Sequence, residues 1–107
     1  MSRPKVLIDE CLDKRLAAEI PNALVKTVPQ MGWAGLTNGK LLDKAKSQFD
    51  VFVTSDQNLS FQQNLKKYKI AVVVLCPATN KIDDLKLLVP KLLKEMSGLR
   101  AGVVYIR

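Results

Sequence analysis

Histidine is absent from the 107 residues, cysteine occurs twice, and the aromatics are one Trp, two Tyr and three Phe. Without histidine there is no His-based catalytic triad, no imidazole metal ligand and no His general base. Any acid–base or metal chemistry therefore rests on carboxylates, with lysine or tyrosine as the only serious substitutes. Cys11 and Cys76 are too few for a disulfide framework and lack the CxxC spacing of a zinc site. Each follows an expected strand, which leaves two readings open: neighbours at one sheet edge, or buried free thiols. No apolar run approaches membrane-spanning length, and Met-Ser-Arg-Pro-Lys leads straight into an expected strand with no signal-peptide core. The expectation is a cytoplasmic protein with no membrane partner.

What is present is an ordinary globular composition, 48% hydrophobic and 25% charged, of a length that makes one domain over residues 1–107. Lys and Arg outnumber Asp and Glu by 17 to 10, a net charge of +7. That excess favours polyanionic partners such as nucleic acid or acidic proteins; plain solubilisation of the surface is the alternative.

Hydrophobic patterning sets out alternating strands and helices. Lys5-Val-Leu-Ile-Asp9 reads as a strand covered on both faces. Leu12, Leu16, Ala17 and Ile20 recur at helical spacing until Pro21-Asn22. Ala23 to Val28 alternates as a shorter, more exposed strand ended by Pro29. A loop follows with two glycines around Trp33, and Thr37 or Asn38 then caps a helix whose Leu41, Leu42, Ala45 and Phe49 face the core. Val51 to Thr54 is the next strand. Leu59, Phe61 and Leu65 suggest a short helix or turn ending in Lys66, Lys67 and Lys69. Ile70 to Leu75, the most hydrophobic run, belongs at or beside the centre of the sheet. A long amphipathic segment from Ile82 to Met96 contains Pro90, which predicts a kink or two short helices. Gly102 to Ile106 closes the chain as a strand. The sum is an α/β domain of three layers, α/β/α, around a mostly parallel sheet of about five strands.

Two of these strands end in acid, Asp9-Glu10 after the first and Asp56 after Asp50-Val-Phe-Val-Thr-Ser. Reaction sites in open parallel sheets lie outside the carboxyl ends of the strands. Asp9 and Asp56 are thus the candidate pair for a hard cation, Mg²⁺ or Mn²⁺, which takes carboxylate oxygens and retains several waters. Glu10 joins them only if the strand has ended before it, because successive strand residues face opposite ways. The plain alternative for each acid is a cap or an Asx-turn. Gln57, Asn58, Gln62, Gln63 and Asn64 can orient phosphates, waters or bases or cap a short helix, and for Gln62 and Gln63 simple exposure is the further alternative. Lys40 can meet a phosphate together with backbone N–H groups at its helix start. Trp33 either stacks on a base or lids the core. Lys66, Lys67 and Lys69 either track a nucleic-acid backbone or form a solvated turn.

The order Val-Leu-Ile-Asp9-Glu10-Cys-Leu, Met31-Gly-Trp-Ala-Gly-Leu-Thr-Asn38-Gly-Lys-Leu-Leu, then Asp50-Val-Phe-Val-Thr-Ser-Asp56-Gln-Asn58-Leu resembles the small PIN-like proteins over nearly the whole chain. These are compact relatives of the PIN-domain ribonucleases, often regarded as toxins of bacterial toxin–antitoxin pairs. The resemblance implies a PIN-like fold and a Mg²⁺- or Mn²⁺-dependent endoribonuclease, with Asp9 and Asp56 as metal ligands and Glu10 as third acid or base. It further implies that Asn38, Lys40 and Asn58 position RNA, that a small antitoxin protein is a partner, and that the chain forms a homodimer. Asn38 and Asn58 stand where the pattern places acids, with Glu10 or Asp43 as substitutes. The alternative is a catalytically inactive PIN-like module that binds RNA or a small antitoxin-like protein. A receiver-like phosphoacceptor is a third reading; it requires a lysine at the end of the last strand, where this chain has Arg107.

Overall fold

The computed structural model describes residues 3–57, 69–98 and 102–107. Five strands, β1 (Lys5–Ile8), β2 (Leu24–Thr27), β3 (Val51–Thr54), β4 (Ala71–Leu75) and β5 (Gly102–Ile106), form one sheet in the order β2-β1-β3-β4-β5. Every neighbouring pair is parallel. Helix α1 (Asn38–Ala45) precedes β3 and α2 (Ile82–Met96) precedes β5. No helix among the described residues is long and apolar enough to cross a membrane.

The strands are apolar throughout because both faces of the sheet are covered, and their period-two alternation divides the core in two. Val6, Ile8, Val51, Val53, Val73 and Leu75 face one side, where Leu16 of a 3₁₀ turn (Lys14–Glu19) and Leu85, Leu88 and Leu92 of α2 close over them. Leu7, Phe52, Val72 and Val74 face the other, under Leu41, Leu42 and Ala45 of α1 and Phe49 beyond it. Helical layers thus pack on both faces. β3 is the central strand and β4 lies next to it.

Three local features differ from the sequence expectation or decide between its alternatives. The segment after β1 is a six-residue 3₁₀ helix, Lys14–Glu19, rather than an α-helix. Asp13 caps its start by accepting the Arg15 N–H at 2.9 Å, and Ile20 leaves helical space at φ −111°, ψ 88°. The α region is disfavoured for a residue that precedes proline, and Ile20, outside that region before Pro21, follows the bias where the segment ends. The second feature is α2, which runs unbroken through Pro90. Proline inside a helix costs roughly 3 kcal/mol, whereas burying each of Leu85, Leu88, Val89 and Leu92 returns about 1.5–3 kcal/mol. Packing therefore outweighs the break.

The third is Trp33, which is 9% exposed and meets Phe49 edge to face with ring centroids 6.1 Å apart. Its loop is pinned by the Trp33 N–H donating to Val28 O and by left-handed turns at Gly32 and Gly35. The indole lids the core and is not a stacking platform.

Candidate functional site

The strand order reverses between β1 and β3: the chain moves outward from β1 to β2, then returns to the far side of β1 for β3. Such a switch point leaves a crevice at the carboxyl ends of the two strands, where open α/β sheets bind ligands. β1 and β3 are the two strands that end in acid.

Register then dictates the contacts. Ile8 pairs with Val53, so Asp9 comes level with Thr54, and its N–H extends the ladder by donating to Val53 O at 2.9 Å. Parity places both residues on the face of Leu7 and Phe52. Thr54, fully buried, donates its hydroxyl to Asp9 Oδ2 at 2.7 Å and accepts the Asp56 N–H at 3.0 Å. One hydroxyl therefore fixes the Asp9 carboxylate and the backbone at Asp56 together. Asp9 Oδ1 accepts the Glu10 N–H at 2.8 Å, and Cys11 Sγ donates to Oδ2 at 3.3 Å while lying 3.3 Å from Ser55 Oγ. With two lone-pair directions per oxygen, Oδ1 has one position that no described residue fills.

Strand β1 ends at Ile8, so Glu10 lies in a turn closed by the Leu12 N–H donating to Asp9 O. Its Oε1 accepts the Gly35 N–H at 3.4 Å, which ties the Trp33 loop to the site. Asn38, half-buried, is the first residue of α1. Thr37 is the cap, with its side chain taking the Lys40 N–H, and the Lys40 side chain is exposed. Asp43 is exposed with Oδ1 2.9 Å from Lys46 Nζ. Asn58, Gln62, Gln63, Asn64, Lys66 and Lys67 lie outside the described residues, as do Leu59, Phe61 and Leu65.

Both cysteines are free thiols; Cys11 is exposed and Cys76 half-buried against the α1 face, so neither is a fully buried core thiol. Cys11 and Thr54 are the members of the cluster that sequence reasoning missed. Thr54 sits two residues before Asp56, but only the register of β1 against β3 reveals its contact. Asp13 caps the 3₁₀ segment that follows, and the Arg15 guanidinium bonded to it holds its carboxyl down at about 2.

Among the described residues no three His, Cys, Asp or Glu side chains form a group suited to a metal ion. A hard cation bound by one or two carboxylates with water in its remaining positions still suits an oxygen donor set such as Asp9 and Asp56. Arg107, where a receiver-like site requires lysine, lies over the Tyr105 ring with its guanidinium carbon 5.3 Å from the centroid. Compared with models of protein families, with curated proteins and with solved structures, the chain matches none.

Proposed function

We propose that this protein is a divalent-cation-dependent phosphodiester hydrolase of PIN-like type that cuts RNA at the carboxyl edge of its sheet. The observation that carries the reading is the Thr54 hydroxyl, bonded at once to Asp9 Oδ2 and to the Asp56 N–H at the topological switch point. An enzyme needs its ligand carboxylates held in one orientation, and hydrogen-bonded outer partners do that. Asp9 and Asp56 are the residues that would hold Mg²⁺ or Mn²⁺. Such an ion, when bound, supplies a Lewis acid for phosphate oxygens and a more acidic water.

The chain's own residues do the remaining work. Thr54, Cys11 and the Glu10 N–H hold Asp9 in place. Glu10, fastened to Gly35, places a second negative charge at the mouth of the site and is the residue positioned to accept a proton from water. Lys40 and the +7 charge favour approach of a polyanion. The toxin role, the antitoxin-like partner and the homodimer belong to this same proposal through the PIN-like resemblance.

The second reading, an inactive module of this type that binds RNA or a small protein, is favoured by the lack of a three-acid group among the described residues and by the amide at Asn38. The deciding experiment is calorimetric titration of Mn²⁺ together with an RNA-cleavage assay. For the hydrolase, Mn²⁺ binds the wild type, cleavage requires it, and Asp9→Asn and Asp56→Asn lose both. No binding at millimolar Mn²⁺ with RNA left intact overturns the hydrolase in favour of the binding module.

A further inference from the structure

β2 is an edge strand, and beside it a groove of ≈ 710 Å³ opens next to Asp9 and Glu10. Ligand pockets span about 300–1,000 Å³, so this groove accommodates one nucleotide unit. Its walls divide by chemistry: Leu12, Ala17 and Val25 are apolar, Thr27 and Gln30 form a polar end, and Lys14 adds a cation.

Gln30 is the informative member. The N–H groups of Leu24 and Val28 donate inward to Pro4 and Ile8, so alternation turns the Thr27 N–H to the open edge of the sheet. Gln30 Oε1 accepts that N–H at 2.8 Å, and the Gln30 N–H is 3.3 Å from Thr27 Oγ1. Because the partner of the amide is an N–H, its oxygen must face the strand and its NH₂ group must face away. Gln30 lines the groove, and the NH₂ group is the donor its amide retains. Among the described residues the amide nitrogen has no partner.

We infer that this groove receives a nucleobase of the RNA strand, held between Leu12, Ala17 and Val25, and that Gln30 reads a carbonyl on its edge. The inference rests on the reading of Asp9 and Asp56 as a phosphodiester site, which the groove adjoins, and Lys14 is placed for a neighbouring phosphate. Single-stranded RNA is read through splayed bases and their edges. Uracil offers carbonyl acceptors to the Gln30 NH₂. Adenine carries no carbonyl, and the two-point pairing a glutamine makes with its N6 and N7 calls on the same Oε1 that already accepts the Thr27 N–H.

The test uses the full chain, isotope-labelled, in chelator, titrated with the tetranucleotides of uridine and of adenosine and followed by backbone-amide shifts. Oligouridylate moves the amides of residues 12–17 and 25–30, and oligoadenylate binds about threefold or more weakly. Val25→Trp fills the groove and lowers oligouridylate affinity about fivefold or more. Gln30→Glu keeps an oxygen for the Thr27 N–H but removes the donor, so the preference for uridine disappears while the melting temperature is retained. Equal binding of the two tetranucleotides, shifts confined to other surfaces, or unchanged affinity in a folded Val25→Trp overturns the inference. The two failures are distinguishable. Mn²⁺-dependent cleavage with Val25→Trp binding like wild type overturns the groove alone. Groove binding with no cleavage in any divalent ion overturns the hydrolase and upholds the groove.

Discussion

Thr54 Oγ1 donates to Asp9 Oδ2 at 2.7 Å across the boundary between β3 and β1, and the same oxygen accepts the Asp56 N–H at 3.0 Å. The contact joins two strand ends 45 residues apart in sequence. It couples the fold to the candidate chemistry, because the residue that orients the first acid also shapes the turn that carries the second.

Thr54→Val keeps the shape of the side chain and removes only the hydroxyl. The Asp56 N–H then loses the Thr54 hydroxyl, and among the described residues Asp9 Oδ2 keeps the weaker Cys11 thiol. Asp9 and Asp56 are half-buried, so the loss lies toward the low end of the about 1–3 kcal/mol that an unsatisfied buried partner costs, and a urea-unfolding midpoint should fall correspondingly. If Asp9 holds a cation, Mn²⁺ affinity should also drop about 10–100-fold, the effect of removing an outer-shell partner. Thr54→Ser restores the hydroxyl and should recover the affinity while retaining part of the stability loss. Mn²⁺ affinity unchanged in Thr54→Val would detach Thr54 from any metal role.

Much of this arrangement was readable from sequence, and what was not has identifiable causes. The strands β1, β3 and β4 were legible because Val6-Leu-Ile, Val51-Phe-Val and Ala71 to Leu75 are buried on both faces and therefore lack polar interruptions. Asp9 and Asp56 were legible as strand-end acids for the same reason. The 3₁₀ segment was not, since Leu12, Leu16 and Ile20 recur at α-helical spacing while Pro21 constrains Ile20 through sterics that periodicity does not register. The fate of Trp33 depended on Phe49, sixteen residues away, standing beyond the end of α1 to meet it edge to face. Thr54 could be recognised as a ligand of Asp9 only once the order β2-β1-β3 made them neighbours.

Asp13 offers a test of local electrostatics by pH. Its carboxylate is bonded by the Arg15 guanidinium and caps the 3₁₀ segment through the Arg15 N–H, which together lower its pKa from 3.8 to about 2. A folded-state pKa below the unfolded value means the contribution is present in full above about 4 and declines as pH falls through the window down to about 2. The residue is at the surface, so salt screens the guanidinium part of the effect and leaves more of the cap. Asp13→Asn retains a capping oxygen without the titration. Acid unfolding followed between pH 5 and 2 should be shallower in this variant than in wild type. Identical curves would show that other carboxylates alone set the acid response.

Pro90 is the clearest position at which the chain forgoes stability within a regular element. Its ring takes the place of an amide that would donate to the carbonyl of Lys86, and it lies exposed in a helix anchored by Leu88, Val89 and Leu92 on its buried side. Helix-interior proline is roughly 3 kcal/mol less favourable than alanine, but it also restricts the unfolded chain, which offsets about 1 kcal/mol or less. Pro90→Ala should therefore stabilise the protein by roughly 1–3 kcal/mol in equilibrium unfolding. Because α2 packs on the sheet face opposite Asp9 and Thr54, Mn²⁺ affinity should not change. A destabilised Pro90→Ala would mean that the ring itself is needed to shape α2 against the sheet, and the account of α2 as packing that overrides a local break would have to be abandoned.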